Sequence, residues 1–122
     1  MKYAMICMAV ALGAAQPALA AGDAAAGGAL FKAKCALCHS VVEGKNGLGP
    51  SLFGVFGRAA GQAPNYHYSD ANKASGKTWD AATLDVYLTN PRAAVPGTKM
   101  AFMGLPQAGD RANVIAYLQT VK

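Results

Sequence analysis

The chain has 122 residues, a length that suits one domain. Its formal charge of +5 comes from 11 basic and 6 acidic side chains with no block of like sign, which suggests an acidic protein partner more than nucleic acid, the alternative being a basic surface with no particular partner. The 53% hydrophobic content is inflated by the N-terminus, so it does not imply a large core.

Met1 and Lys2 form a short positive head, residues 3–15 are apolar and uncharged, and Pro17 and Ala18-Leu19-Ala20 follow. That order predicts a secretory signal over 1–20, cleaved after Ala20, with one domain over 21–122. The alternative is an uncleaved membrane anchor. The apolar run is shorter than the roughly 20 residues a spanning helix needs, and Gln16 and Pro17 break it. Export points to a bacterial periplasm and to no stable membrane anchor. Without the first 20 residues the chain has 102, a formal charge of +4, two cysteines (Cys35 and Cys38) and two methionines (Met100 and Met103).

Asp23 is placed to cap a helix over Ala24–Lys34, although Gly27 and Gly28 weaken it by about 1 kcal/mol each relative to alanine. The turn "KAKCALCHSVV" comes next, with Cys35, Cys38 and His39 in the order C-x-x-C-H. Residues 40–69 are rich in Gly and Pro and show neither helical nor strand periodicity. A loop that long in a small domain implies that it wraps something. A short helical turn is expected near residues 70–75. Asp80 caps a second main helix that runs to Asn90 with Leu84, Tyr87 and Leu88 on its buried stripe, and Pro91 stops it. Residues 91–109 read as a second long loop. A final helix over about 110–121 sets Val114, Tyr117, Leu118 and Val121 on one face. The expectation is an all-α fold with three main helices, whose short stripes bury too little surface on their own. A large apolar cofactor supplies the missing core.

C-x-x-C-H is the signature of covalent haem attachment. Two thiols add across the porphyrin vinyl groups, and the adjacent histidine binds the iron through one ring nitrogen. A zinc site needs four nitrogen or sulfur ligands, and the chain offers no second cysteine pair. A redox dithiol expects a βαβ context, which is missing. Iron held by His and Met is the electron-transfer arrangement. Met100, Met103 and His67 are the candidates for the sixth ligand, and spacing alone does not choose among them.

Five stretches in order now carry a resemblance: "CALCH", "GPSLFGVFGR", "GQAPNYHYSDANK", "YLTNPRAAVPGTKMAF" and "VIAYL". Together they resemble class I cytochrome c, of the mitochondrial type and its bacterial periplasmic relatives, over essentially all of residues 22–122. The resemblance implies one haem c per chain, attached through Cys35 and Cys38, with His39 and Met100 as axial ligands. It implies that Pro50 orients His39 through its carbonyl. Arg58, Tyr68, Asn72 and Trp79 are then the groups that meet the haem propionates, and Tyr87 and Thr98 lie beside Met100. Gly27 and Phe31 are expected to pack on Val114 and Tyr117 where the first and last helices cross. The implied function is that of a monomeric electron carrier, not an enzyme. Its implied partners are redox proteins such as a quinol:cytochrome c oxidoreductase, a terminal oxidase, or another periplasmic reductase or dehydrogenase.

The chain departs from the lysine-rich docking face of mitochondrial members. Lys34 and Lys99 match docking positions and Lys45 roughly does. Arg92 replaces a lysine, and Pro106-Gln107-Ala108 stands where a lysine-rich run is expected. A peroxidase or a gas-binding sensor is the outcome if the Met100 bond is weak.

Overall fold

The computed structural model describes residues 21–122, so the expected signal segment lies outside the described residues. Five helices form: α1 (Ala24–Lys34), α2 (Asp70–Ala74), α3 (Ala81–Thr89), α4 (Pro91–Ala94) and α5 (Ala108–Thr120). Among the described residues there is no strand, only an isolated bridge between Ala59 and Thr78. The all-α expectation holds.

Four of the five helix starts carry a side-chain cap. The Asp23 carboxylate accepts from the amides of Ala25 and Ala26, which satisfies two donors that the first turn leaves free. Lys32 and Lys34 lie in the last turn of α1, where the helix dipole favours positive charge. Ser69 caps α2 through the amide of Asn72, and Asp80 caps α3 through the amide of Thr83. Pro91 does more than stop α3. It occupies the first turn of α4, where its missing N–H costs nothing, and Asn90 caps that turn through the amide of Ala93. The expected loop over 91–109 therefore begins with a helical turn.

The crossing of α1 and α5 frames the molecule. A Cβ at Gly27 would run into the backbone carbonyl of Asn113, so only glycine permits this approach. The Asn113 side chain accepts from the Asp23 amide at 2.8 Å. Phe31 and Tyr117 stack with ring centroids 5.4 Å apart, and Val114, at 1% exposure, is sealed beneath them. Arg111 ties α5 to α3 through the Asp85 carboxylate at 2.7 Å, and it donates to the Leu105 and Pro106 carbonyls.

The long loop over 40–69 is held by bonds to distant backbone. Gly54 donates to the Val121 carbonyl, Gly57 to Trp79 and Ala60 to Lys77, each at 2.8–2.9 Å. Leu84, Leu88, Leu105, Ile115 and Leu118 fill the core around Trp79 and Tyr87. One side of this core opens into a cavity of about 510 Å³.

Candidate functional site

The turn after α1 is built by backbone hydrogen bonds. Cys38 and His39 both donate to the Cys35 carbonyl, at 3.1 and 2.9 Å. This folds the five-residue segment tightly, with Cys35 half-buried and Cys38 exposed and no disulfide between them. Burial raises the Cys35 thiol pKa, and the neighbouring Cys38 adds to the effect.

His39 is fixed from two directions. Its Nδ1 lies 2.8 Å from the Pro50 carbonyl oxygen. A carbonyl can only accept, so Nδ1 carries the proton and Nε2 keeps its lone pair. A Cβ at Gly49 would stand 2.7 Å from Nδ1, so the Gly49 backbone forms a wall flush against the ring. Burial lowers the His39 pKa, partly opposed by the bond to Pro50, and this favours the neutral, ligand-ready imidazole.

Met100 comes from the loop between α4 and α5. Its amide donates to Thr98 Oγ1 at 3.3 Å, and the Tyr87 hydroxyl donates to its Sδ at 3.3 Å. Tyr87 is held by α3 and by Trp79, whose ring centroid is 4.7 Å away. Burial raises the Tyr87 pKa, so its hydroxyl stays a proton donor at neutral pH. Met103 is 86% exposed, and His67 is exposed as well.

Cys35, Cys38, His39, Pro50, Arg58, Tyr68, Asn72, Trp79, Tyr87, Thr98 and Met100 all line the one cavity. Sequence reasoning missed several of its walls. Leu52, Val55 and Phe102 line it from loops whose irregular pattern hid their inward face. The close contact of Gly49 with the imidazole was also missed.

The cavity fits a haem by two tests internal to the protein. Its lining is mainly apolar, with a few polar groups, as a large planar macrocycle requires. Among the described residues, Arg58 Nε and Asn72 Oδ1 are buried side-chain atoms with no hydrogen-bond partner. Such orphans are rare in native proteins and point to a partner group. A carboxylate suits the guanidinium directly, and it suits Asn72 once the amide turns to present its NH2. No three His, Cys, Asp or Glu side chains come together as a metal cluster among the described residues, so the zinc alternative finds no fourth ligand.

Residues 24–122 match the family model described as cytochrome c. The chain belongs to the cytochrome c family. It is 57% identical over 103 residues to cytochrome c2 of Rhodoblastus acidophilus, covering 84% of this chain and 95% of that one. It is 52% identical over 120 residues to cytochrome c2 of Rhodomicrobium vannielii, covering 98% and 94%. The solved structure of cytochrome cH from Methylobacterium extorquens superposes with a TM-score of 0.76 at 49% identity, covering 81% of this chain and 99% of that one. As a cytochrome c, the chain carries one haem c joined through Cys35 and Cys38 and works as an electron carrier with redox partners, not as an enzyme. No helix among the described residues is long and apolar enough to cross a membrane.

Proposed function

We propose that the protein is exported to a bacterial periplasm, with cleavage after Ala20, and shuttles single electrons there as a monomer. The observation that carries the site is the shared cavity. It joins the Cys35–Cys38–His39 turn to a methionine sulfur already held by a tyrosine hydroxyl. In this reading Cys35 and Cys38 would form the thioethers, and His39 Nε2 and Met100 Sδ would hold the iron. Pro50 holds the imidazole in the tautomer that leaves Nε2 free, as outer-shell partners of ligating histidines do. Arg58, Tyr68, Asn72 and Trp79 meet the propionates, and Tyr87 and Thr98 hold Met100.

Bound there, the haem supplies a one-electron Fe(II)/Fe(III) couple, and thioether ligation raises its potential. The side chains keep rearrangement small. His39 is braced by Gly49 and Pro50, and Met100 by Thr98 and Tyr87, so neither ligand needs to move on transfer. With a haem bound, the Met100 sulfur would hold the iron and so would keep oxygen and peroxide from it.

The partners fitting this reading are redox proteins such as a quinol:cytochrome c oxidoreductase, a terminal oxidase, or another periplasmic reductase or dehydrogenase. Docking relies on Lys34, which lines the cavity mouth beside Cys35. Lys99 contributes less than its position in the sequence implies. Its ammonium donates to the His67 carbonyl and sits 4.8 Å from the centroid of the Tyr66 ring.

Replacing Met100 and Met103 separately with alanine tests the ligand set. Met100→Ala is expected to open the iron, so that the reduced protein binds carbon monoxide rapidly, while Met103→Ala behaves as wild type. Rapid binding by the wild type, or by Met103→Ala alone, contradicts the assignment.

A further inference from the structure

One side chain outside the expected ligand set connects the two sides of the cavity. The Tyr66 hydroxyl donates to the Leu48 carbonyl at 2.8 Å. Leu48 lies two residues before Pro50, the carbonyl partner of His39. On the other side, the Tyr66 ring carries the Lys99 ammonium, and Lys99 is the residue immediately before Met100.

Tyr66 is itself held in place. Asn65 has φ 59°, the one positive φ at a non-glycine position among the described residues, and asparagine tolerates that region best. The Tyr68 ring meets Tyr66 edge-on with centroids 4.9 Å apart, and its hydroxyl accepts from the Ala63 amide at 3.0 Å. Asn46 bonds the Pro64 carbonyl at 2.9 Å, which ties the start of the same segment to the 46–50 loop. Leu48, Tyr66, Tyr68 and Lys99 all line the cavity.

We infer that Tyr66 is a positioning residue for Met100. It couples the loop that orients His39 to the loop that presents the methionine, so the two axial sides are held to each other through one aromatic ring. Its hydroxyl anchors the ring to the His39 side, and its π face holds Lys99. Lys99 bonded to His67 then limits how far the Met100 loop can swing away. This rests on the proposed reading of Met100 as a ligand.

The test uses ferric holoprotein and imidazole, which binds the iron once Met100 leaves. Three variants separate the links. Tyr66→Phe removes only the tether to Leu48, Lys99→Gln removes the cation from the ring together with its bond to the His67 carbonyl, and Tyr66→Leu removes the tether and the ring while leaving the bond to His67. The readouts are the imidazole uptake rate, the long-wavelength absorption band expected of thioether-ligated ferric haem, and the unfolding midpoint. Lys99→Gln and Tyr66→Leu are expected to speed uptake about fivefold, the equivalent of one exposed cation–π contact or hydrogen bond. Tyr66→Phe is expected to speed it at least about twofold, because the ring is no longer anchored. Uptake by Tyr66→Phe at the wild-type rate overturns the coupling, whatever Lys99→Gln does. So does a lowered unfolding midpoint with no change in uptake. A wild type that lacks the thioether band removes the Met100 reading first and this proposal with it. Unchanged variants on a wild type that shows the band remove this proposal alone.

Discussion

The residue scale sets the tolerances of the site, and Gly49 shows how narrow they are. It is buried, and any Cβ there meets the His39 ring. Gly49→Ala is expected to push the imidazole off its bond to Pro50 and to destabilise the holoprotein by about 1–3 kcal/mol, the usual range for overpacking. Denaturant unfolding measures this, and wild-type stability contradicts it. The same residue marks the limit of what sequence could say. C-x-x-C-H is local, with its three groups inside one turn, so the chemistry is readable directly. The closeness of Gly49 to His39 depends on how the 47–50 loop folds back, with Gly49 donating to the Cys38 carbonyl at 2.8 Å. No local pattern encodes that bond. Met100 lies in between. Residue chemistry left three candidates, and the family resemblance chose among them. The hydrogen bond from Tyr87 and the exposure of Met103 supply a physical reason for that choice.

At the scale of elements, capping residues made two of the three main helices legible, since Asp23 and Asp80 each precede a helix and each cap forms. The α4 turn was not legible. Proline both ends a helix and begins one, and only the Asn90 cap decides which. The final helix starts at Ala108, ahead of the expected 110, although Gln107 gives it no side-chain cap bond. The Arg111 side chain, bonded to the Leu105 and Pro106 carbonyls, secures that entrance instead.

The α3 cap also carries a pH signature. Hydrogen bonds from Thr83 hold the exposed Asp80 carboxyl below its ordinary pKa. A carboxylate with a lowered folded pKa contributes stability above its unfolded pKa and loses it as pH falls through the folded value. Asp80→Ala is therefore expected to be less stable than wild type at neutral pH. The difference should shrink as pH drops below the ordinary carboxylate range. A difference that grows on acidification, measured by thermal unfolding across pH, contradicts this account.

For the whole molecule, the cofactor and the loops explain each other. Short helical stripes and a long irregular stretch were unfavourable as a bare core, and the structure turns that stretch into cavity wall. Charge distribution then governs partner exchange. The positive charge is scattered, Lys99 is engaged within the protein, and Lys34 remains at the mouth. Steering by scattered exposed charges is weaker than by a clustered basic face and is screened within about 10 Å at 0.1 M salt. The rate of electron exchange with an acidic redox partner is expected to fall less steeply with added salt than for a lysine-rich mitochondrial relative. An equal or steeper fall contradicts it.

The central claim is a single haem, covalently held by Cys35 and Cys38 and ligated by His39 and Met100. The most direct test is the visible spectrum of the purified protein in both redox states, combined with pyridine haemochrome analysis. The account predicts one c-type haem per chain that resists acid–acetone extraction, with the thioether band in the ferric form. Haem that extracts freely, or a ferric spectrum without that band, would contradict it.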